Sequence, residues 1–134
     1  MTRFEAKVKA RTQDISDLTE RAGDFLQAGG VDLHAAHHVG MILEELLTNL
    51  ATHDGGDADA SVLISIEKDR VFVEIADNGR PFDPRSTPDP DVTAPVEKRS
   101  IGGLGLFLMR KLASDIHYVR GDERNQTSFA VSRR

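Results

Sequence analysis

The sequence contains no cysteine, which excludes disulfides, zinc–thiolate sites and a thiol nucleophile. It also lacks any apolar run near the roughly 20 residues that a membrane-spanning helix needs. The first residues carry no apolar core segment of the kind found in secretion signals, so we expect no such signal. With nothing that requires an oxidising compartment, the default expectation is a cytoplasmic protein without a membrane partner.

An excess of basic charge is missing as well. The chain has 17 Lys and Arg against 22 Asp and Glu, which gives a formal net charge of −5. This balance argues against nonspecific electrostatic binding of nucleic acid, although it is compatible with a local basic pocket. Its length of 134 residues favours one domain over residues 1–134, and the 39% hydrophobic and 29% charged content is ordinary for a globular domain.

The periodicity of apolar residues predicts a mixed order of strands and helices. Alternation predicts strands over residues 4–10, 61–67, 70–76, 117–120 and 127–132. Helical spacing predicts a helix capped by Thr12 or Asp14, a second from Asp32 to about His53, and a third after residue 102. The resulting order, β-α-α-β-β-loop-α-β-β, suits an α+β fold. We expect a two-layer α/β sandwich with a mixed, largely antiparallel sheet and helices on one face.

Three glycines fall within four residues at Gly102, Gly103 and Gly105, directly before an apolar, helix-forming run. Glycine lets a ligand approach the backbone closely. The first N–H groups of the helix that follows have no partners inside it, which suits phosphate. A flexible loop before a core helix would show the same pattern, so this stretch alone is a weak signal.

Glu45 and Asn49 lie one turn apart on the second predicted helix and therefore point toward the same volume. An amide oxygen suits Mg²⁺, which completes its shell with water and phosphate oxygens. A neighbouring carboxylate can orient or deprotonate a nucleophile. The same pair would also fit a solvated helix face.

Asp77 ends a predicted strand and is followed by a turn through Gly79. A carboxylate in that position can accept a hydrogen bond from an exocyclic amine, although an ordinary Asn-Gly turn is the simpler interpretation. Residues 83–101 are rich in proline and fit no regular element, which indicates a lid or a disordered segment. The histidines lack cysteine or carboxylate partners at metal-ligand spacing, which disfavours a transition-metal site.

Taken together, Glu-Leu-Leu-Thr-Asn (45–49), Asp-Asn-Gly-Arg-Pro-Phe (77–82) and Gly-Gly-Leu-Gly-Leu (102–106) resemble the N, G1 and G2 boxes of the GHKL ATPase superfamily. That superfamily includes gyrase-type ATPases, histidine kinases and MutL, and its fold is the Bergerat fold. Within it, the chain is most similar to serine kinase anti-sigma factors of the RsbW and SpoIIAB type. The resemblance covers nearly the whole chain.

The resemblance implies a role for each matching residue. Asn49 would hold Mg²⁺, Glu45 would be the general base, Asp77 would accept a hydrogen bond from the adenine amino group, and Gly79 would allow close approach. Residues 83–101 would form the ATP lid. On the basis of charge alone, Arg99 or Lys98 within it is expected to reach the terminal phosphate. Further nucleotide contacts would come from His53, Phe82, Gly102, Gly103, Leu104, Gly105, Leu106 and Thr127.

The function that this resemblance implies is a protein serine/threonine kinase that uses ATP and Mg²⁺. It would phosphorylate a small anti-sigma factor antagonist and sequester a sigma factor, with a homodimer as a possible state. The alternative is a non-catalytic module that binds ATP and sequesters a partner protein. The form Gly-Arg-Pro-Phe in place of Gly-x-Gly-Ile, and Leu50 where alanine is usual, depart from the superfamily pattern.

Overall fold

Five strands and three α-helices make up the part of the chain that the structure, a computed structural model, describes: residues 3–86 and 104–134. In chain order they are β1 (Arg3–Lys9), α1 (Thr12–Ala28), α2 (Leu33–Asp54), β2 (Asp59–Ile66), β3 (Arg70–Asp77), a 3₁₀ turn (Pro84–Ser86), α3 (Leu104–Leu112), β4 (Ala113–Gly121) and β5 (Arg124–Ser132). This is the predicted order, and the predicted fold class is confirmed. None of these helices is both long and apolar enough to cross a membrane.

The strands form a single sheet in the order β1-β2-β3-β5-β4, and each of its four pairings is antiparallel. Alternate residues of the central strands point toward the helices and are buried. The core includes Val62, Ile64, Val71, Val73, Phe129 and, from α2, Val39, Ile42, Leu43 and Leu47. Each fully buried aliphatic side chain of this kind contributes about 1.5–3 kcal/mol relative to an exposed one. The core thereby fixes α2 against the sheet.

The two long helices begin differently. Asp32 caps α2 as predicted, because its carboxylate accepts hydrogen bonds from His34 N at 3.0 Å and Ala35 N at 3.4 Å. The prediction for α1 was wrong, since the helix begins at Thr12 and the capping position is Arg11, which makes no side-chain capping bond. Asp14 lies in the first turn instead, where a carboxylate favours the positive end of the helix dipole.

The last two strands are longer than predicted. Their turn runs through Asp122 and Glu123, whose φ angles are 52° and 60°. Such left-handed pairs are normally signalled by Asn-Gly or a similar dipeptide, which is absent here. In β4 the register shifts between Ser114 and His117, and Asp115 has a φ of 51°. The shift breaks the alternation by which a strand is recognised.

Candidate functional site

A cavity of about 270 Å³ opens where α2 meets the ends of β3 and β5. It is lined by Leu46, Asn49, Leu50, His53, Asp54, Asp77, Arg80, Phe82 and Asn125. The structure therefore brings together Asn49 and Asp77, which lie on different elements. His53 and Phe82, two further residues predicted from the sequence, border the same space.

The α2 wall of the cavity combines apolar and polar side chains. Leu46 and Leu50 lie on it, and Asn49 and His53 are one helical turn apart beside them. Asn49 is half-buried, yet its side-chain amide makes no hydrogen bond within the described residues. Its oxygen is therefore available to a ligand in the cavity.

Asp77 is the last residue of β3, and its two carboxylate oxygens have different surroundings. Oδ1 accepts hydrogen bonds from Gly79 N and from Asn125 Nδ2, both at 2.9 Å. Oδ2 has no hydrogen-bond partner in the ranges 3–86 and 104–134. The carboxylate is thus fixed through one oxygen, while the other is left for a donor from outside the protein.

The loop after β3 lies very close to α2. A Cβ placed on Gly79 would come within 2.6 Å of Leu50 Cδ1 and 2.7 Å of Asp54 Oδ2. A side chain at this position would therefore require the ends of the Leu50 and Asp54 side chains to shift. The neighbouring Arg80 ties the loop to the same helix end, because its backbone N donates to Asp54 Oδ1 at 3.0 Å and its guanidinium donates to His53 O.

The chain beyond Phe82, where the predicted lid begins, is anchored at its first residues. Arg85 donates to both carboxylate oxygens of Asp83, the closest contact being 2.7 Å, and this hydrogen-bonded pair lowers the pKa of Asp83. Arg110 of α3 donates to Pro84 O at 3.1 Å. The rest of the predicted lid, with Lys98 and Arg99, lies outside the described residues.

Glu45 borders a second cavity of about 250 Å³ that Leu104 and Gly105 also line. A Cβ on Gly105 would collide with Glu45 Cβ and would lie 2.9 Å from the backbone oxygen of Met41. Glycine at 105 therefore allows the first turn of α3 to sit directly on α2. This contact places Gly105, the third glycine of the Gly-rich stretch, next to the side chain of Glu45.

The remaining predicted residues fall in different places. Leu106 is buried in the core. Thr127 is buried on β5 at the second position after Asn125 and does not line the cavity. Gly102 and Gly103 lie outside the described residues. The roles of all four stay predictions.

Sequence reasoning missed Asn125, which is only 3% exposed and pairs with Asp77 across the β3–β5 ladder. One signal was present: Asn125 lies on the same face of the strand as Thr127, Phe129 and Val131, at alternate positions. It was overlooked because the predicted strand started at Thr127, whereas β5 begins at Arg124.

No cluster of three or more His, Asp or Glu side chains suited to a metal occurs among residues 3–86 and 104–134. Mg²⁺ does not require such a cage, since it is commonly bound through one or two protein oxygens together with substrate phosphates. The unpartnered amide of Asn49 fits that mode of binding.

Comparison with known proteins adds the family. The model of the histidine kinase-like ATPase domain matches residues 8–131. The chain belongs to this family. The resemblance to GHKL ATPases noted in the sequence is thereby confirmed. The cavity that Asn49 and Asp77 share therefore lies in a histidine kinase-like ATPase domain.

The relatives of this ATPase domain include proteins named serine-protein kinase RsbW. The one from Bacillus cereus strain AH187 is 25% identical over 126 residues, which cover 90% of this chain and 79% of the relative. The one from Listeria monocytogenes strain EGD-e is 31% identical over 94 residues, or 65% and 60% of the two chains.

Solved structures show the same fold. A crystal structure of the RsbU and RsbW domains of a Mycobacterium tuberculosis protein superposes with a TM-score of 0.66 at 13% identity, covering 97% of this chain and 32% of the other. The chain thus spans about a third of that structure. The catalytic domain of the histidine kinase ThkA gives a TM-score of 0.50 at 11% identity, covering 97% and 98%. At these identities the likeness concerns the fold alone.

Proposed function

We propose that this protein is a Mg-ATP-dependent protein serine/threonine kinase of the anti-sigma-factor type. The observation that carries the proposal is the shared cavity of Asn49 and Asp77, two residues 28 positions apart in sequence that offer a metal ligand and an amine acceptor to one ligand. The membership in an ATPase-domain family and the relatives named serine-protein kinase support it.

The end of the cavity near β3 suits the adenine base. Leu46, Leu50 and Phe82 offer apolar surface to the faces of a ring, and Asp77 Oδ2 is placed to accept a hydrogen bond from an exocyclic amine. The volume of about 270 Å³ is just below the ~300–1,000 Å³ of typical small-molecule sites. We infer that the cavity holds the base and that the phosphates extend beyond it.

The phosphates would extend along α2 toward the start of α3. Asn49 would share Mg²⁺ with them, and the backbone amides around Gly103 and Gly105 would bind their oxygens. When bound, Mg²⁺ would supply charge neutralisation, which together with positioning accounts for most of the catalysis of phosphoryl transfer. His53, Phe82, Leu104, Leu106 and Thr127 are proposed as further contacts of the nucleotide.

Glu45 is proposed as the general base. Its carboxylate would accept the proton of a serine or threonine hydroxyl on the partner protein while that oxygen bonds to the γ-phosphorus and the bond to the β-phosphate oxygen breaks. ADP and the phosphorylated partner are the products. Glu45 lines the second cavity beside Gly105 and does not line the cavity proposed for the base, which supports this assignment.

The partners proposed for this activity are a small anti-sigma factor antagonist as the phosphorylation substrate and a sigma factor that the protein sequesters. We propose a cytoplasmic location and a homodimer as a possible state. The names of the RsbW relatives support the kinase part of this proposal, and the partners follow from the resemblance to anti-sigma factors.

Transfer of ³²P from labelled ATP to a candidate antagonist tests the proposal. Glu45→Gln should lower the rate ~100-fold or more, the effect of removing a general base, while calorimetry shows unchanged ATP binding. Glu5→Gln, on the exposed edge strand β1, is the matched control and should transfer at the wild-type rate.

Two results would contradict the kinase proposal. If wild type and Glu45→Gln bind ATP equally and neither labels any candidate antagonist, the protein is a nucleotide-dependent binding module. If millimolar Mg-ATP produces no heat with the wild-type protein, both the kinase and the binding module are excluded.

A further inference from the structure

Asn125 is a buried polar residue that uses its amide nitrogen to hold the loop after β3. Nδ2 donates to Asp77 Oδ1 at 2.9 Å and to Arg80 O at 2.8 Å, and it lies 3.4 Å from Gly79 O. Since the side chain is 97% shielded from solvent, water does not compete for these bonds. A single amide thus fixes both the carboxylate and the backbone that follows it.

The amide oxygen of Asn125 is occupied as well. Oδ1 accepts a hydrogen bond from the hydroxyl of Tyr118 and another from Phe82 N at 3.3 Å. The reversed amide would place its oxygen against three acceptor oxygens and its nitrogen against the Phe82 N–H, so the network favours a single orientation. Tyr118, on the neighbouring strand β4, therefore fixes Asn125, and Asn125 fixes Asp77.

We propose that Asn125 is a positioning residue that determines the base specificity of the cavity. It holds the Asp77 carboxylate so that Oδ2 alone is offered to the amine of a purine. This inference rests on the proposed function, because it assumes that a nucleotide base occupies the cavity. It assigns a role to a side chain that does not itself need to touch the nucleotide.

The chemistry of the purine edge explains how positioning becomes specificity. Adenine presents an amino donor where guanine presents a carbonyl oxygen. A carboxylate oxygen fixed at that position attracts the adenine amino group and repels the guanine carbonyl oxygen. Without Asn125 the carboxylate keeps only the Gly79 N–H on Oδ1 and is held less firmly, so the hydrogen bond to adenine weakens and the discrimination between the two bases falls.

The test compares the dissociation constants of Mg-ATP and Mg-GTP, measured by calorimetry on the full chain. Asn125→Ala should weaken Mg-ATP binding by about tenfold, in line with the loss of an optimally placed hydrogen bond to a charged group, and leave the weak Mg-GTP binding unchanged. Tyr118→Phe should shift the ratio of the two constants in the same direction by a smaller factor.

Val62→Ala is the matched control for a simple loss of stability, since Val62 is buried in β2 and does not line the cavity. This variant should melt at a lower temperature and keep the wild-type ratio of the two constants. A ratio that falls equally in Val62→Ala and Asn125→Ala would overturn the inference, because the effect would then be one of stability.

Asn125→Asp gives an independent measurement in a side chain of nearly the same shape. It puts a second carboxylate about 2.9 Å from Asp77 Oδ1, so the two would share a proton at low pH and repel each other at high pH. Mg-ATP binding by this variant, relative to wild type at each pH, should recover as the pH falls from 8 toward 5. Among the described residues, the other titratable groups around the loop include His53, Asp54, Arg80, Asp83, Arg85, Tyr118 and Arg120, which are the same in both proteins.

The outcomes separate this inference from the proposed function. If wild type prefers Mg-ATP and Asn125→Ala keeps that preference in full, or if Asn125→Asp shows no pH-dependent recovery, the positioning role is wrong and the nucleotide site stands. If wild type binds neither nucleotide, both the inference and the proposed function fall together.

Discussion

The two ends of the cavity are built in different ways. At the end formed by β3 and β5, Asp77 Oδ1, Asn125 and the carbonyls of Gly79 and Arg80 are joined in one hydrogen-bond network. At the α2 end, the side chains of Asn49 and His53 make no hydrogen bond within residues 3–86 and 104–134. One end is fixed before any ligand arrives, and the other offers free polar groups.

This difference matches the needs of the two parts of a nucleotide. A base is rigid and is recognised by the position of its donors and acceptors, so a preformed site lowers the ordering cost of binding. A Mg²⁺ ion brings waters and phosphate oxygens with it, so the protein needs to add only one or two oxygens. The comparison predicts that the two ends respond differently to substitution.

The largest effect is expected at the fixed end. Asp77→Asn should weaken ATP binding about 100-fold, with or without Mg²⁺, because an amide group both loses the charge and can present a donor to the adenine amine. Calorimetric titration of wild type and variant measures this. Asp69→Asn, in the exposed turn before β3, is the control; an equal loss in that variant would contradict the assignment.

The contact between α2 and α3 can be broken with one methyl group. Gly105→Ala should lower the free energy of unfolding by about 1–3 kcal/mol, because the added carbon collides with Glu45 and the Met41 carbonyl. Urea denaturation measures this change. Gly23→Ala is the control, because a Cβ in that α1 position meets nothing within 4 Å and should stabilise the helix by about 0.5–1 kcal/mol.

At the α2 end of the cavity, the effect of a substitution on ATP binding should depend on the metal ion. Asn49→Ala should weaken Mg-ATP binding about tenfold and leave the affinity for metal-free ATP unchanged, since only the metal ligand is lost. Titrations with Mg²⁺ and with a chelator separate the two constants. An equal loss of affinity for Mg-ATP and for metal-free ATP would indicate that Asn49 contacts the adenine base, and the distinction between the two ends of the cavity would no longer hold.

The smallest effect concerns Asp83 at the start of the predicted lid. Arg85 holds the pKa of Asp83 below its ordinary value, so the pair stabilises the fold above the ordinary pKa of an aspartate, about 4. Asp83→Asn should therefore melt slightly below wild type at pH 7. The difference in melting temperature between variant and wild type should disappear as the pH falls through the folded pKa of Asp83. A difference that is unchanged at pH 3 would contradict this prediction.

Most of the fold could be predicted from the sequence because its signals are local. The alternation in β2 and β3 and the cap at Asp32 each depend on a few neighbouring residues. The start of α1 and the extent of β4 and β5 were missed, since Arg11 carries no capping signal and the turn at Asp122 and Glu123 lacks the usual glycine.

The candidate site was harder to predict, because part of it depends on register. Asn49 and Asp77 were found through motifs that each lie within a few residues. Asn125 reaches Asp77 only through the pairing of β3 with β5, which joins positions 48 residues apart. Nor could spacing show that Gly79 lies against Leu50 and Asp54 of α2, since that packing exists only in the folded chain.

A crystal structure of the full chain with Mg²⁺ and a non-hydrolysable ATP analogue tests the central claim most directly. The account predicts the adenine amine within hydrogen-bond distance of Asp77 Oδ2 and the metal ion on the Asn49 side-chain oxygen of the same nucleotide. A nucleotide bound outside this cavity, or one that contacts Asp77 while its metal lies away from Asn49, would contradict it.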